Sequence, residues 1–404
     1  MGSLGEETSS IVIAIALRAP NRKITILERS RMLRETGALI SLQPNASKIV
    51  SSWGIDTFLA SCKPMVDKAF RLFDISGKLV NEVKLNTSMF GADRIVYHRQ
   101  DLHSALLSAA TSTQLSGHAV EVRTGTKVVS CDPKAGIVTI ETGENLQADV
   151  IIGADGIHSV IRTAVLGEEQ GAIPTGISAY RMLLPADLLK GIDIPLDILD
   201  PADPVTTMVV GHDRRVIMGP GRGAEMFGIV ALVPDEKGRE KSTTDSWVAE
   251  GSTEALVEVF ADFPGWMLDI FKRAPDVALW QLRDIDPLPR WVRGRAILIG
   301  DAAHAMLPTQ GQGASQSIED AEALQAFLAD LPARPTGDQV ERVLNTVFEA
   351  RFDRASLIQR YSRQQARPGT DAKSNTVKLD PAEFMKYNCD YQGAKDWLSK
   401  SAAK

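Results

Sequence analysis

The period of the hydrophobic positions changes several times along the chain. Residues 23–27 (KITIL) form a short run rich in β-branched side chains that ends at Glu28, which predicts a buried strand. Over 44–59 the apolar residues recur at helical spacing, with Asn45 placed as an N-cap, and 100–111 repeats that pattern. Residues 121–130 and 136–141 read as strands of a hairpin or meander, and 149–152 as a buried strand running into Gly153-Ala154-Asp155-Gly156. From about 175 to 287 the pattern differs. Short β-like runs at 205–210, 215–218 and 227–233 are separated by Pro- and Gly-rich turns, then followed by helical stretches at 252–262 and 266–274. Strand-then-helix order returns with 295–299, 314–331 and 337–363. A polar linker over 366–380 leads into a helix-compatible tail from Pro381 to Leu398.

This order predicts an α/β fold: a Rossmann-like domain interrupted by an antiparallel-sheet domain and closed by C-terminal helices. The expected units are 1–174, 175–287, 288–365 and 366–404. The segment 11–19 admits two readings. It forms either one helix capped by Ser9 or Ser10, or a stub strand at 11–13 followed by a frayed helix.

Composition narrows the function classes. With 44% hydrophobic and 24% charged residues in 404, the chain has ordinary globular usage, against wholesale disorder or a coiled coil. Its net charge of −6, without a long basic block, leaves no electrostatic footprint for nucleic acid. Cys62, Cys131 and Cys389 are too dispersed for a disulfide framework or a zinc spacing. The early apolar run 11–17 has seven residues, against roughly 20 for a bilayer span, and follows Glu6 and Glu7 instead of a basic segment. No integral membrane segment is expected, and the expected location is cytoplasmic. The oligomeric state is open.

Two strings carry candidate chemistry. In Gly300-Asp301-Ala302-Ala303-His304, continuing through Pro308 to Gly311-Gln312-Gly313-Ala314, an apolar strand ends at a glycine that lets a ligand approach the backbone. The Asp can accept from a sugar or polyol hydroxyl, and a glycine-rich turn then opens a helix whose free N–H groups face the same cleft. His304 has no companion at metal spacing and reads as a turn or packing residue. In the second string a strand ends in Gly153-Ala154-Asp155-Gly156, with Arg162 further on. Alone, that string also describes a strand–turn–helix whose Asp only caps the helix.

Together the two strings resemble the DG and GD motifs of the single-component FAD-dependent aromatic hydroxylases, the salicylate-hydroxylase-like and para-hydroxybenzoate-hydroxylase-fold monooxygenases. The stretch 280–308 is similar to the fungal secondary-metabolism members. The resemblance implies FAD as cofactor, NAD(P)H as reductant, O2 as co-substrate and a small aromatic or polycyclic substrate of polyketide or terpenoid type that is hydroxylated or epoxidised. It implies Glu28 on the adenosine ribose, Arg99 near the FAD diphosphate, Asp301 with Gly300 on the ribitol, and Gly313 and Ala314 beside the flavin pyrimidine edge. Ala38 and Pro308 would lie near the cofactor, and Asp155 and Arg162 would serve the motif linked to both FAD and NAD(P)H. Arg181 would stand in the active-site cleft. Arg222 is a candidate for a substrate anion or for NAD(P)H, or else a turn arginine.

The chain departs from the family at two places. No Gly-x-Gly-x-x-Gly precedes Glu28, although such glycines let the backbone approach a pyrophosphate. Where many relatives carry Tyr-Pro on a strand facing the flavin, Gly219-Pro220 stands, without a phenol. Three functional classes therefore remain: a flavin-dependent oxygenase, a flavin-independent isomerase, cyclase or hydrolase on the same scaffold, or a catalytically inert binding protein.

Overall fold

The ambiguous segment near the N-terminus is a helix. In the computed structural model, which describes residues 6–31, 38–236, 248–366 and 377–402, Glu6–Leu17 is one α-helix. Residues 11–17 are all at most 6% exposed. A helix that is apolar all round belongs inside a core, and it satisfies its own backbone there without needing a strand partner. It packs against the helices Gly313–Leu328 and Arg99–Thr111. The single helix read over 44–59 is two, Pro44–Ser52 and Asp56–Ala60, broken at Gly54 with φ +68°. Asn45 does not cap it, because Gln43 holds the N-cap position. The buried Asn45 amide donates instead to Gln312 and Glu319, at 3.2 and 2.6 Å.

The parallel pairs of the α/β unit lie in two small sheets. Thr25–Leu27 pairs with Glu121–Arg123, and Ile151–Gly153 pairs with Ala296–Leu298. Among the described residues no strand bridges these two pairs. The second unit is an eight-stranded sheet. From one edge its strands run Val248–Glu250, Ala278–Asp284, Ile173–Pro185, Met226–Pro234, Arg215–Gly221, Val205–Val210, Ala69–Asp74 and Leu79–Lys84. Two of these strands come from within 1–174, so the sheet unit is discontinuous in sequence.

Strand register decides which face does what. Tyr180, Met182, Met218, Phe227 and Ile229 pack beneath the helices Thr253–Val259 and Gly265–Lys272. On the opposite face Arg181, Val230 and Ile217 are cross-strand neighbours in one row, and Leu183, Gly228 and Gly219 in the next. Gly228 and Gly221 leave a notch, and Leu39 of the strand Leu39–Leu42 enters it. A Cβ on Gly228 would stand 2.8 Å from Leu39 Cδ1. Gly228→Ala is therefore expected to lower stability by about 1–3 kcal/mol through overpacking, read as a lower urea midpoint. An unchanged midpoint would show that Leu39 yields freely.

The tail helices Pro381–Cys389 and Ala394–Ala402 return to the body. Phe384 stacks on Tyr361 at 3.5 Å between centroids, and Tyr391 Oη donates to Glu322 at 2.8 Å. Most of the predicted linker, 367–376, lies outside the described residues. Among the described residues no helix is long and apolar enough to cross a membrane.

Candidate active site

The glycine-notched face of the large sheet meets the α/β unit around a small cavity that opens to solvent. Its wall includes Ala38, Leu39, Asp67, Arg181, Gly219 and Val230. Arg181 lies with its guanidinium 4.9 Å from the centroid of the Trp280 ring, and its buried Nε has no hydrogen-bond partner. Burial, and secondarily the like charge of Arg99, bring its pKa down to about 10, so it stays cationic at neutral pH. The backbone of Arg99 donates to Ala38 O at 2.8 Å, which joins two of the residues expected together.

The strand Leu39–Leu42 runs from this cavity to the glycine-rich turn. The Gln43 N–H donates to Ser315 Oγ at 3.2 Å, and a Cβ on Gly311 (φ +61°) would meet Gln43 Nε2 at 3.0 Å. Gly313 and Ala314 open the helix Gly313–Leu328 and are buried. Gly300 has φ +55°, and a Cβ there would stand 2.9 Å from Ser317 Oγ, so only glycine fits. Asp301 begins the short helix Asp301–His304 and is partly exposed. His304, read as a packing residue, places Nε2 2.7 Å from Asp320 Oδ2. Pro308 opens a 3₁₀ turn and is partly exposed, but it is not on the cavity wall.

The second string works mainly as a fastening. Asp155 accepts from Ser159 Oγ and, at 3.0 Å, from the Ile161 N–H, while Ser159 Oγ caps the helix Val160–Leu166 through the Arg162 N–H. The buried Arg162 guanidinium donates to the carbonyls of Ile157, Gln170 and Ala302. Its donors tie this turn to the helix Asp301–His304. Glu28 closes the strand Thr25–Leu27, and its Oε1 accepts from the Ser30 N–H at 2.7 Å.

Of the two readings of Arg222, a ligand-binding group or a turn arginine, its position is that of a turn residue. The strand ends at Gly221, and Arg222, with φ +52°, turns the hairpin outward. Its Nε pairs with Asp101 at 2.9 Å beside an outer groove that also holds Lys63, Ser104 and Ser108. It does not share the cavity of Arg181. One feature had no sequence signal: the buried Arg94 bonds Asp67, Thr206 and Ser41, joining the two units beside the cavity. Those groups come together only through strand pairing.

A flavin's ribityl and ring end would meet the Asp301 carboxylate and the helix start at Gly313, while the Gly300 N–H is itself engaged by Asp320. The first helix packs beside this same turn: Thr8 and Ser9 are 1% and 3% exposed, and Ser9 Oγ lies 3.4 Å from Ser317 Oγ.

Comparison with known proteins agrees with this geometry. A family model described as an FAD binding domain matches residues 66–361. Hispidin-3-hydroxylase of Neonothopanus nambi is 31% identical over 370 residues, covering 88% of this chain and 85% of the relative. A salicylate hydroxylase substrate complex superposes with a TM-score of 0.78 at 26% identity, covering 98% of this chain and 96% of the other. CtdE in complex with FAD and a substrate has a TM-score of 0.79 at 22% identity, over 99% and 97% of the two chains, a likeness of fold. With its GD and DG turns on that scaffold, the chain belongs to the FAD-dependent aromatic monooxygenases, the group of salicylate hydroxylase and the fungal secondary-metabolism hydroxylases.

Proposed function

We propose that this enzyme hydroxylates or epoxidises an electron-rich aromatic or polycyclic ring that carries an acidic oxygen, using O2 and NAD(P)H, in secondary-metabolite biosynthesis. The observation that carries the reading is Arg181, a cation held over Trp280 with an unpartnered Nε on an otherwise mostly apolar cavity wall. A guanidinium in such surroundings favours an anionic partner, because the low local dielectric strengthens the attraction. A phenolate or enolate bound there would be activated for attack at its ring, and Val230 and Ile217 in one row with Gly219 and Gly228 in the next give it an apolar floor. Bound FAD supplies the electron transfer and oxygen chemistry that no side chain can.

The chain's residues bind and orient. Asp301, at the turn that Gly300 opens, takes the polyol chain. Gly313 and Ala314, at the start of their helix, favour negative charge on the flavin edge. Ala38 and Pro308 flank the ring, Arg99 serves the diphosphate side, and Glu28 takes the adenosine ribose. Asp155 and Arg162 act indirectly, by holding the turn that bears Asp301. The flavin-independent isomerase, cyclase or hydrolase is not favoured, since the named relatives are hydroxylases. The test is a visible absorbance scan with and without added FAD, followed by NAD(P)H oxidation with phenols and their methyl ethers. Flavin bands and stimulation by the phenol alone are expected. A protein that stays colourless through an FAD titration would overturn the reading.

A further inference from the structure

We propose that Asp320 is a positioning residue for the cofactor's polyol chain, acting by fixing the turn that presents Asp301 to the cleft. The inference rests on the reading of Asp301 given above and adds a residue that touches no ligand itself. Asp320 lies in the helix Gly313–Leu328 and is 0% exposed. It grips the turn at both ends. Oδ2 accepts from the Gly300 N–H at 3.0 Å and lies 2.7 Å from His304 Nε2. Oδ1 accepts from Arg351 Nε at 2.9 Å, which orients the carboxylate in turn. Arg162 adds a third point, donating to Ala302 O at 3.2 Å.

Between these anchors Asp301 is the one residue of 300–305 that is not buried. Gly300 is the flexible joint, since at φ +55° it has the backbone freedom of glycine and no side chain to wedge it. A charge-assisted bond to its N–H removes that freedom. Stability alone is a weak reason for burying such a carboxylate, because buried ion pairs are often matched by well-packed apolar groups. A fixed direction for the neighbouring Asp301 is a reason that apolar packing does not supply.

The test is a flavin titration of the full chain freed of flavin, followed by quenching of flavin fluorescence, with Asp301→Asn, Asp320→Asn and the double variant compared. Each single variant is expected to weaken binding by about tenfold. The double variant is expected within about twofold of Asp301→Asn, because Asp320 acts through Asp301. A merely structural Asp320 would instead multiply the two losses, which overturns the inference and leaves the reading of Asp301 standing. If Asp301→Asn has no effect, that reading falls and the inference with it. His304 gives a second route should Asp320→Asn fold poorly. His304→Gln keeps a donor toward Asp320 and should stay within about twofold of the native affinity, whereas His304→Leu should lose several-fold. Equal affinities for those two variants would also overturn the inference.

Discussion

Replacing Arg351 by methionine is expected to cost about 3–5 kcal/mol of stability, the scale for stripping one partner from a buried ion network. Arg351 is 0% exposed and donates to Glu319, to Asp320 and, at 2.7 Å, to Gln316 Oε1. Glu319 is shared with Arg354 at 2.7 Å and Asn45 at 2.6 Å. Without Arg351 two buried carboxylates remain close together with half their compensation gone. Arg354 also donates to the carbonyls of Tyr387 and Asn388, and both arginines lie over the ring of Tyr391. Docking of the tail should therefore weaken together with the network. Urea unfolding followed by tryptophan fluorescence reads the loss, and limited proteolysis reads release of the tail. A loss below about 1 kcal/mol would sink the idea, since ordinary surface changes already reach about half that.

The same network sets an acid limit. Burial alone would raise the pKa of Asp320, but His304, Arg351 and the Gly300 N–H outweigh it and hold the group at about 2. A folded pKa below the unfolded value of about 3.9 contributes stability that is full above about pH 4 and is lost as pH falls toward 2. In Arg351→Met that acid-linked loss should shrink, because the folded pKa rises toward the unfolded one.

What the sequence made legible was local. The strings around Gly300-Asp301 and Asp155-Gly156 sit where a strand ends in a turn and a helix begins, and the residues that define such a turn are consecutive. The helix over 314–331 was equally plain, yet nothing in it marked Glu319 and Asp320 as the anchors of a buried network. Their partners Asn45, His304 and Arg351 are contributed by other elements. Asn45 had the residue type and place of a cap, but tertiary pairing won. Arg222 was legible only as a candidate for a substrate anion or for NAD(P)H, or else as a turn arginine. The side on which it emerges depends on the positive φ one residue past the strand end, which alternation does not reveal. The strands Ala69–Asp74 and Leu79–Lys84 went unread because the second is an exposed edge with little hydrophobic patterning.

Arg181→Met is expected to lower product formation by about 10²–10³-fold while leaving flavin content near the native level, the scale of removing one preorganised charge-stabilising donor. The flavin-holding groups proposed here lie on the α/β unit, whereas Arg181 belongs to the sheet and reaches the cavity from the opposite wall. Loss of the cation should therefore separate chemistry from cofactor binding. Arg181→Lys is the sharper variant. It keeps the charge but loses the planar group that lies over Trp280, and a partial recovery of about tenfold over Arg181→Met is expected. Arg222→Ala, whose side chain pairs with Asp101 on the outer surface, should leave turnover within about twofold. Product assayed by chromatography, alongside flavin absorbance of the same preparations, distinguishes these outcomes. If Arg181→Met turned over a phenol normally, the anion would have to be held elsewhere, and Arg99, the neighbouring cation, would become the group to replace.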